Sequence, residues 1–90
     1  MSGKTHEGLT VWKGVFEVTS SIGLPLIIVL TLFKDRRYVV DWIDYYESAL
    51  RHGMQSERVL SRIGSDVSDV YGPEYRDEVL KRLRIYIGSK

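Results

Sequence analysis

Apolar residues recur along this chain in two different ways. From Asp35 onward they fall at helical spacing, whereas before Asp35 they crowd every face of whatever element they form. The second half is therefore the easier to read. Over residues 35–52, Val39, Trp42/Ile43, Tyr46 and Leu50 make one helical stripe. Asp35 stands as a candidate N-cap, Gly53 as the residue after the helix, and Arg51 and His52 where the helix dipole favours cations. Residues 56–71 repeat the pattern through Val59/Leu60, Ile63, Val67 and Val70/Tyr71, with Ser56 placed to cap the start and Gly72 the end. Residues 73–87 do so again through Tyr75, Val79/Leu80, Leu83 and Tyr86/Ile87. Pro73 suits the first helical position, and acidic residues lead basic ones along the segment.

The first half divides into a tail and an apolar segment. Residues 1–8 are polar and read as a flexible tail; they are followed by a hydrophobic segment over 9–34 and the helical module over 35–90. Residues 10–18 are rich in β-branched and aromatic side chains, as in a strand, yet Lys13 and Glu17 also stand at helical i,i+4 spacing. Residues 22–33 are apolar throughout except for Gly23, Pro25 and Thr31.

Two architectures follow. In the first, the sixteen uncharged residues from Val18 to Phe33 belong to a membrane-embedded helix over residues 15–33. Sixteen residues span roughly 24 Å against a hydrocarbon core of about 30 Å, so the helix starts earlier, at Val15. Trp12 and Phe16, and Phe33 and Tyr38, then sit at the two interfaces, and Lys34, Arg36 and Arg37 hold the helical module in the cytoplasm. The fold class is then mainly α, one hydrophobic helix followed by a three-helix amphipathic module. The alternative is a cytoplasmic soluble α+β fold, in which residues 9–19 and 25–33 form an N-terminal β-hairpin covered on one face by three helices. That hairpin leaves an apolar face open, which a second copy of the chain is expected to cover.

Composition narrows the function classes. Ninety residues make one domain with a marginal core, which favours a partner or a membrane as an added source of stability. Cysteine is absent, excluding disulfides and thiolate metal sites. Thirteen basic and twelve acidic residues give a net charge of +1, too little for a field that draws nucleic acid.

No combination of residues reads as a catalytic site. His6 and His52 are the only histidines and have no ligand partners at metal-binding spacing. Asp41/Asp44 and Asp66/Asp69 are carboxylate pairs three residues apart, but they lie largely off the apolar stripes, as solvated helix faces do. Gly3-Lys4-Thr5 lacks the earlier glycine of a phosphate loop, and no serine sits in a Gly-x-Ser-x-Gly elbow. Arg51, Arg58 and Arg62 suggest a helix–turn–helix regulator only weakly, since Glu57, Asp66 and Asp69 share the second helix. Tyr38, Trp42, Tyr45 and Tyr46 repeat at helical spacing, as packing aromatics do.

The run Ser48-Ala49-Leu50-Arg51-His52-Gly53-Met54, followed by Glu57-Arg58-Val59-Leu60 and Gly72-Pro73, is similar to the helical cytoplasmic module of type II secretion and pilus platform proteins. The likeness covers less than half of the chain, and the second set of membrane helices of that family is absent.

The expected function is therefore anchoring, assembly or interaction without catalysis, with no cofactor and no metal. A second copy of the chain is the first expected partner and the lipid bilayer the second; no protein partner is specified. The residues expected to carry these contacts are Trp12, Phe16, Leu26, Ile28, Leu30, Trp42 and Tyr46.

Overall fold

The computed structural model describes residues 2–6 and 8–89, without the side chains of Ser2 and His6. Three strands and five helices follow one another: β1 (Ser2–His6), β2 (Leu9–Lys13), α1 (Val15–Ile22), α2 (Leu26–Asp35), β3 (Tyr38–Val40), α3 (Trp42–Arg51), α4 (Ser56–Tyr71) and α5 (Pro73–Gly88). The α+β alternative is thus the right class, although its hairpin uses different residues.

Residues 2–6, expected in a flexible tail, form an edge strand; Met1 and Glu7 of that tail lie outside the described residues. β1 pairs antiparallel with β2, from Ser2 opposite Lys13 to His6 opposite Leu9, and the chain turns at Gly8 with φ 78°. β2 pairs in parallel with β3, with Val11 opposite Val39 and Trp12 opposite Val40. Thr10, Trp12, Tyr38 and Val40 therefore share one face, and Val11 and Val39 the other. On the first face Trp12 meets Tyr38 edge-on at 5.3 Å between ring centroids, and Phe33 meets Tyr38 at 5.5 Å.

Among the described residues no helix is long and apolar enough to cross a membrane, which overturns the membrane-helix reading. The uncharged run breaks in its middle. Gly23 ends α1 in the left-handed conformation at φ 68°, and Pro25, extended at φ −61° and ψ 141°, stands as the N-cap of α2. A proline lacks the N–H that would have carried the first helix onward. The ten residues of α2 rise only about 15 Å, half a hydrocarbon core. Its inner face, Leu26, Val29, Leu30 and Phe33, is buried, packed between α4 and β3.

The expected helix over 35–52 also divides. Asp35 closes α2, Arg37 turns the chain at φ 58°, and β3 takes Val39, which had fitted the helical stripe. The true cap is Asp41, whose Oδ1 accepts from the Asp44 backbone N–H at 3.1 Å, so α3 begins at Trp42. α4 occupies the expected residues, but its N-cap is Gln55. Ser56 instead shares a 2.6 Å hydrogen bond with the Tyr46 hydroxyl. Ile63 and Leu83 are fully buried where α4 and α5 meet the core, and each contributes about 1.5–3 kcal/mol relative to exposure.

Candidate functional site: an outward helix face and a cleft beside the sheet

The seven residues singled out for contact do not form one surface. Phe16, Leu26, Leu30, Trp42 and Tyr46 are core, and Trp12 is half-buried under Tyr38. Ile28 alone is exposed, at 45%. One helical turn on, Leu32 is 48% exposed, so the two residues form a patch on the outer side of α2. Thr31 and Asp35 lie on the same side. The Thr31 hydroxyl folds back on the Ile27 carbonyl at 2.8 Å, so its polar atom is already satisfied. The beginning of α2 has no side-chain cap, and the first N–H groups of a helix lack partners within it. Pro25, Leu26 and Ile27 there share an open recess with Arg58 and Arg62 of α4, together with Glu57 and Asp66. Burial raises the Asp66 carboxyl above its ordinary range; Arg62 opposes this and Asp69 adds to it.

A second feature lies on the face of the sheet opposite Trp12. β3 leads directly into α3, so the cap at Asp41 turns Trp42 inward, while α5 crosses behind it. Between them a cleft of about 220 Å³ is lined by Val11 and Val39 of the sheet, Trp42 of α3, and Tyr75, Val79 and Arg82 of α5. Trp42 is 6% exposed, and its indole N–H has no hydrogen-bond partner. It stands beside the Tyr75 hydroxyl, where it favours the phenolate. Burial outweighs it and lifts the Tyr75 pKa, so the phenol keeps its proton at neutral pH. No pattern in the sequence gathers these residues, because each is one apolar or surface position on a different element.

One cluster resembles catalytic machinery in composition only. Glu17, Ser48 and His52 converge where α1 meets α3. His52 Nδ1 lies 2.8 Å from the Ser48 backbone carbonyl, not its hydroxyl, and the His52 ring rests on Phe16 at 5.1 Å. The Ser48 hydroxyl accepts from Arg51 Nη2 at 2.9 Å, and the whole residue is 0% exposed. A nucleophile needs a route for substrate; this serine, fully buried with its hydroxyl engaged by Arg51 and Glu17, has none.

The Asp41/Asp44 pair has structural roles at α3. Asp41 caps the helix, and Asp44 Oδ2 accepts the Gly14 N–H at 2.8 Å. Among the described residues, no three His, Cys, Asp or Glu side chains gather as a metal would require. Comparison with protein-family models, curated proteins and solved structures gives no match to this chain.

Proposed function

We propose that the protein is a non-catalytic interaction module that works as a homodimer, joined through the outer face of α2. The observation that carries this reading is the exposed Ile28–Leu32 pair on the outer side of a helix whose inner face is buried in the core. A twofold symmetric contact must be self-complementary. In an antiparallel pair of α2 helices, Ile28 of one protomer meets Leu32 of its partner, and Leu32 meets Ile28. The same register sets Asp35 of one protomer beside Pro25 of the other. That is the uncapped, positive end of the partner helix, with Arg58 and Arg62 in the adjoining recess. One alignment thus satisfies both the apolar pair and the charge.

Sedimentation of the full chain at tens of micromolar tests this. The wild type should sediment as a dimer, and Leu32→Glu as a monomer with unchanged circular dichroism, since Leu32 is half-exposed. A wild-type monomer, or a Leu32→Glu dimer, would overturn the reading.

A further inference from the structure

The cleft between the sheet and α5 is a partly enclosed space bounded by β2, β3, α3 and α5. Its volume of about 220 Å³ exceeds the roughly 150 Å³ of an engineered cavity that holds benzene. A six-membered ring and a short arm therefore fit. The walls supplied by Val11, Val39 and Val79 are apolar. The polar end has a definite sense. The Trp42 indole offers only a donor, and Arg82 only donors. A tyrosine hydroxyl such as that of Tyr75 can accept from one neighbour and donate to another. Arg82 pairs with Glu78 at 3.5 Å across a contact in which both side chains are about two-thirds exposed. Such a pair holds weakly and leaves most of the guanidinium donors free. Asp41, the acid on the rim, has Oδ1 occupied by the Asp44 N–H.

We infer that this cleft binds a small aromatic or branched aliphatic carboxylic acid, its apolar body between Val11, Val39 and Val79 and its carboxylate held by Arg82 and the Tyr75 hydroxyl. The proton order is consistent from end to end. Trp42 N–H donates to Tyr75 Oη, Tyr75 O–H donates to one carboxylate oxygen, and the guanidinium donates to the other. A carboxylate that draws the Tyr75 O–H toward itself turns the hydroxyl lone pairs to the indole N–H, which stands beside that hydroxyl without a hydrogen bond of good geometry. A neutral analogue forfeits the guanidinium contact, and an amine meets Arg82 as a like charge.

Titration of the full chain with 3-phenylpropanoate, 3-phenylpropan-1-ol and 3-phenylpropan-1-amine, followed by the Trp42 indole N–H resonance, tests the assignment. The acid should move that resonance and bind at least about tenfold more tightly than the alcohol, as one charge-assisted bidentate contact allows. Arg82→Gln should erase that advantage and leave alcohol binding unchanged; Arg82 is exposed, so the fold survives. Val39→Phe should fill the cavity and weaken acid and alcohol alike. Tightest binding by the amine would make this an Asp41-centred cation site and overturn the proposal. Equal binding of all three would reduce it to an unselective apolar cavity. An unmoved Trp42 resonance would show a closed cleft, and either of these also refutes the assignment.

Discussion

The Gly14 backbone N–H donates to Asp44 Oδ2 at 2.8 Å, tying the start of α1 to the first turn of α3 across thirty residues of chain. Gly14 sits at φ 78°, a left-handed conformation that glycine adopts without a steric penalty, and it serves as the N-cap of α1 with no side chain of its own. The carboxylate of Asp44 accepts from a distance the N-cap N–H that the third helical residue's carboxylate accepts in a capping box. Asp44→Ala leaves that N–H without a partner in a half-buried place, at a cost of about 1–3 kcal/mol. The melting temperature should fall by roughly 4–8 °C for each kcal/mol lost in a domain of this size. Asp44→Asn keeps an acceptor oxygen and should cost less. Thermal denaturation of the two variants checks the order; equal losses would show that charge, not the acceptor, holds α1 in place.

The same bond explains part of what the sequence conceals. Asp41 and Asp44 stand three residues apart, and on a continuous helix over 35–52 they have no task beyond meeting solvent. Once Asp41 ends a strand, both acquire one. Val39 fitted the helical stripe and the strand equally well, so periodicity alone could not separate them. Tyr38-Val39-Val40 is β-branched and aromatic, and it stands directly before an aspartate with N-cap preference; those were the signals of β3. α4 and α5 were legible because a clean stripe ran between marked ends, Gly72 closing one helix and Pro73 opening the next.

The apolar run misled for a different reason. Hydropathy carries no record of a bend, and Gly23-Leu24-Pro25 contributes no charge to interrupt it. β1 was missed because Gly3, Lys4 and Thr5 are all exposed and show no alternation to read. Gly3 lies beneath Trp12 so closely that a Cβ would come within 2.9 Å of the indole, and only the pairing of the two strands reveals why a glycine stands there. The cleft was illegible as a site because β2, β3, α3 and α5 each give it one or a few residues.

Tyr71 carries a prediction at alkaline pH. Its hydroxyl is buried with no hydrogen-bond partner, its ring lies 4.9 Å from that of Tyr75, and Lys34 Nζ stands 6.0 Å from its centroid. Burial first, and the neighbouring Tyr75 second, push its pKa up to about 12. The folded state thus holds the phenol proton more tightly than the unfolded chain, whose tyrosines ionise near pH 10. Stability is undiminished below pH 10 and is lost as pH rises from there toward 12. Tyr71→Phe removes both the unsatisfied hydroxyl and the ionisation. At neutral pH the variant should match the wild type or exceed it by up to about 1 kcal/mol. Its stability should fall less between pH 10 and 12, and parallel alkaline curves for the two proteins in urea denaturation would refute the assignment.

Glu17 gives the opposite slope at acid pH. Ser48, fully buried on α3, lowers the Glu17 carboxyl pKa chiefly by hydrogen bonding; burial opposes this, while the backbone, Arg51 and His52 add to the lowering. Arg51 Nη2 stands 3.6 Å from the carboxylate in an exposed pair. The folded protein therefore binds this proton more weakly than the unfolded chain does. The stability it contributes is present above the unfolded pKa of about 4.3 and is lost as pH falls through the lower folded value. Because Glu17 is nearly half-exposed, solvent screens much of this contribution, and the sharper readout is the carboxyl itself. Its carbon resonance, titrated by NMR, should report a pKa below the ordinary glutamate range. Ser48→Ala should bring that value back up, whereas Arg51→Gln should move it less, since the Ser48 contact outranks the Arg51 charge. The reverse order would make Arg51 the group that holds Glu17 ionised and reduce Ser48 to a packing residue between α1 and α3.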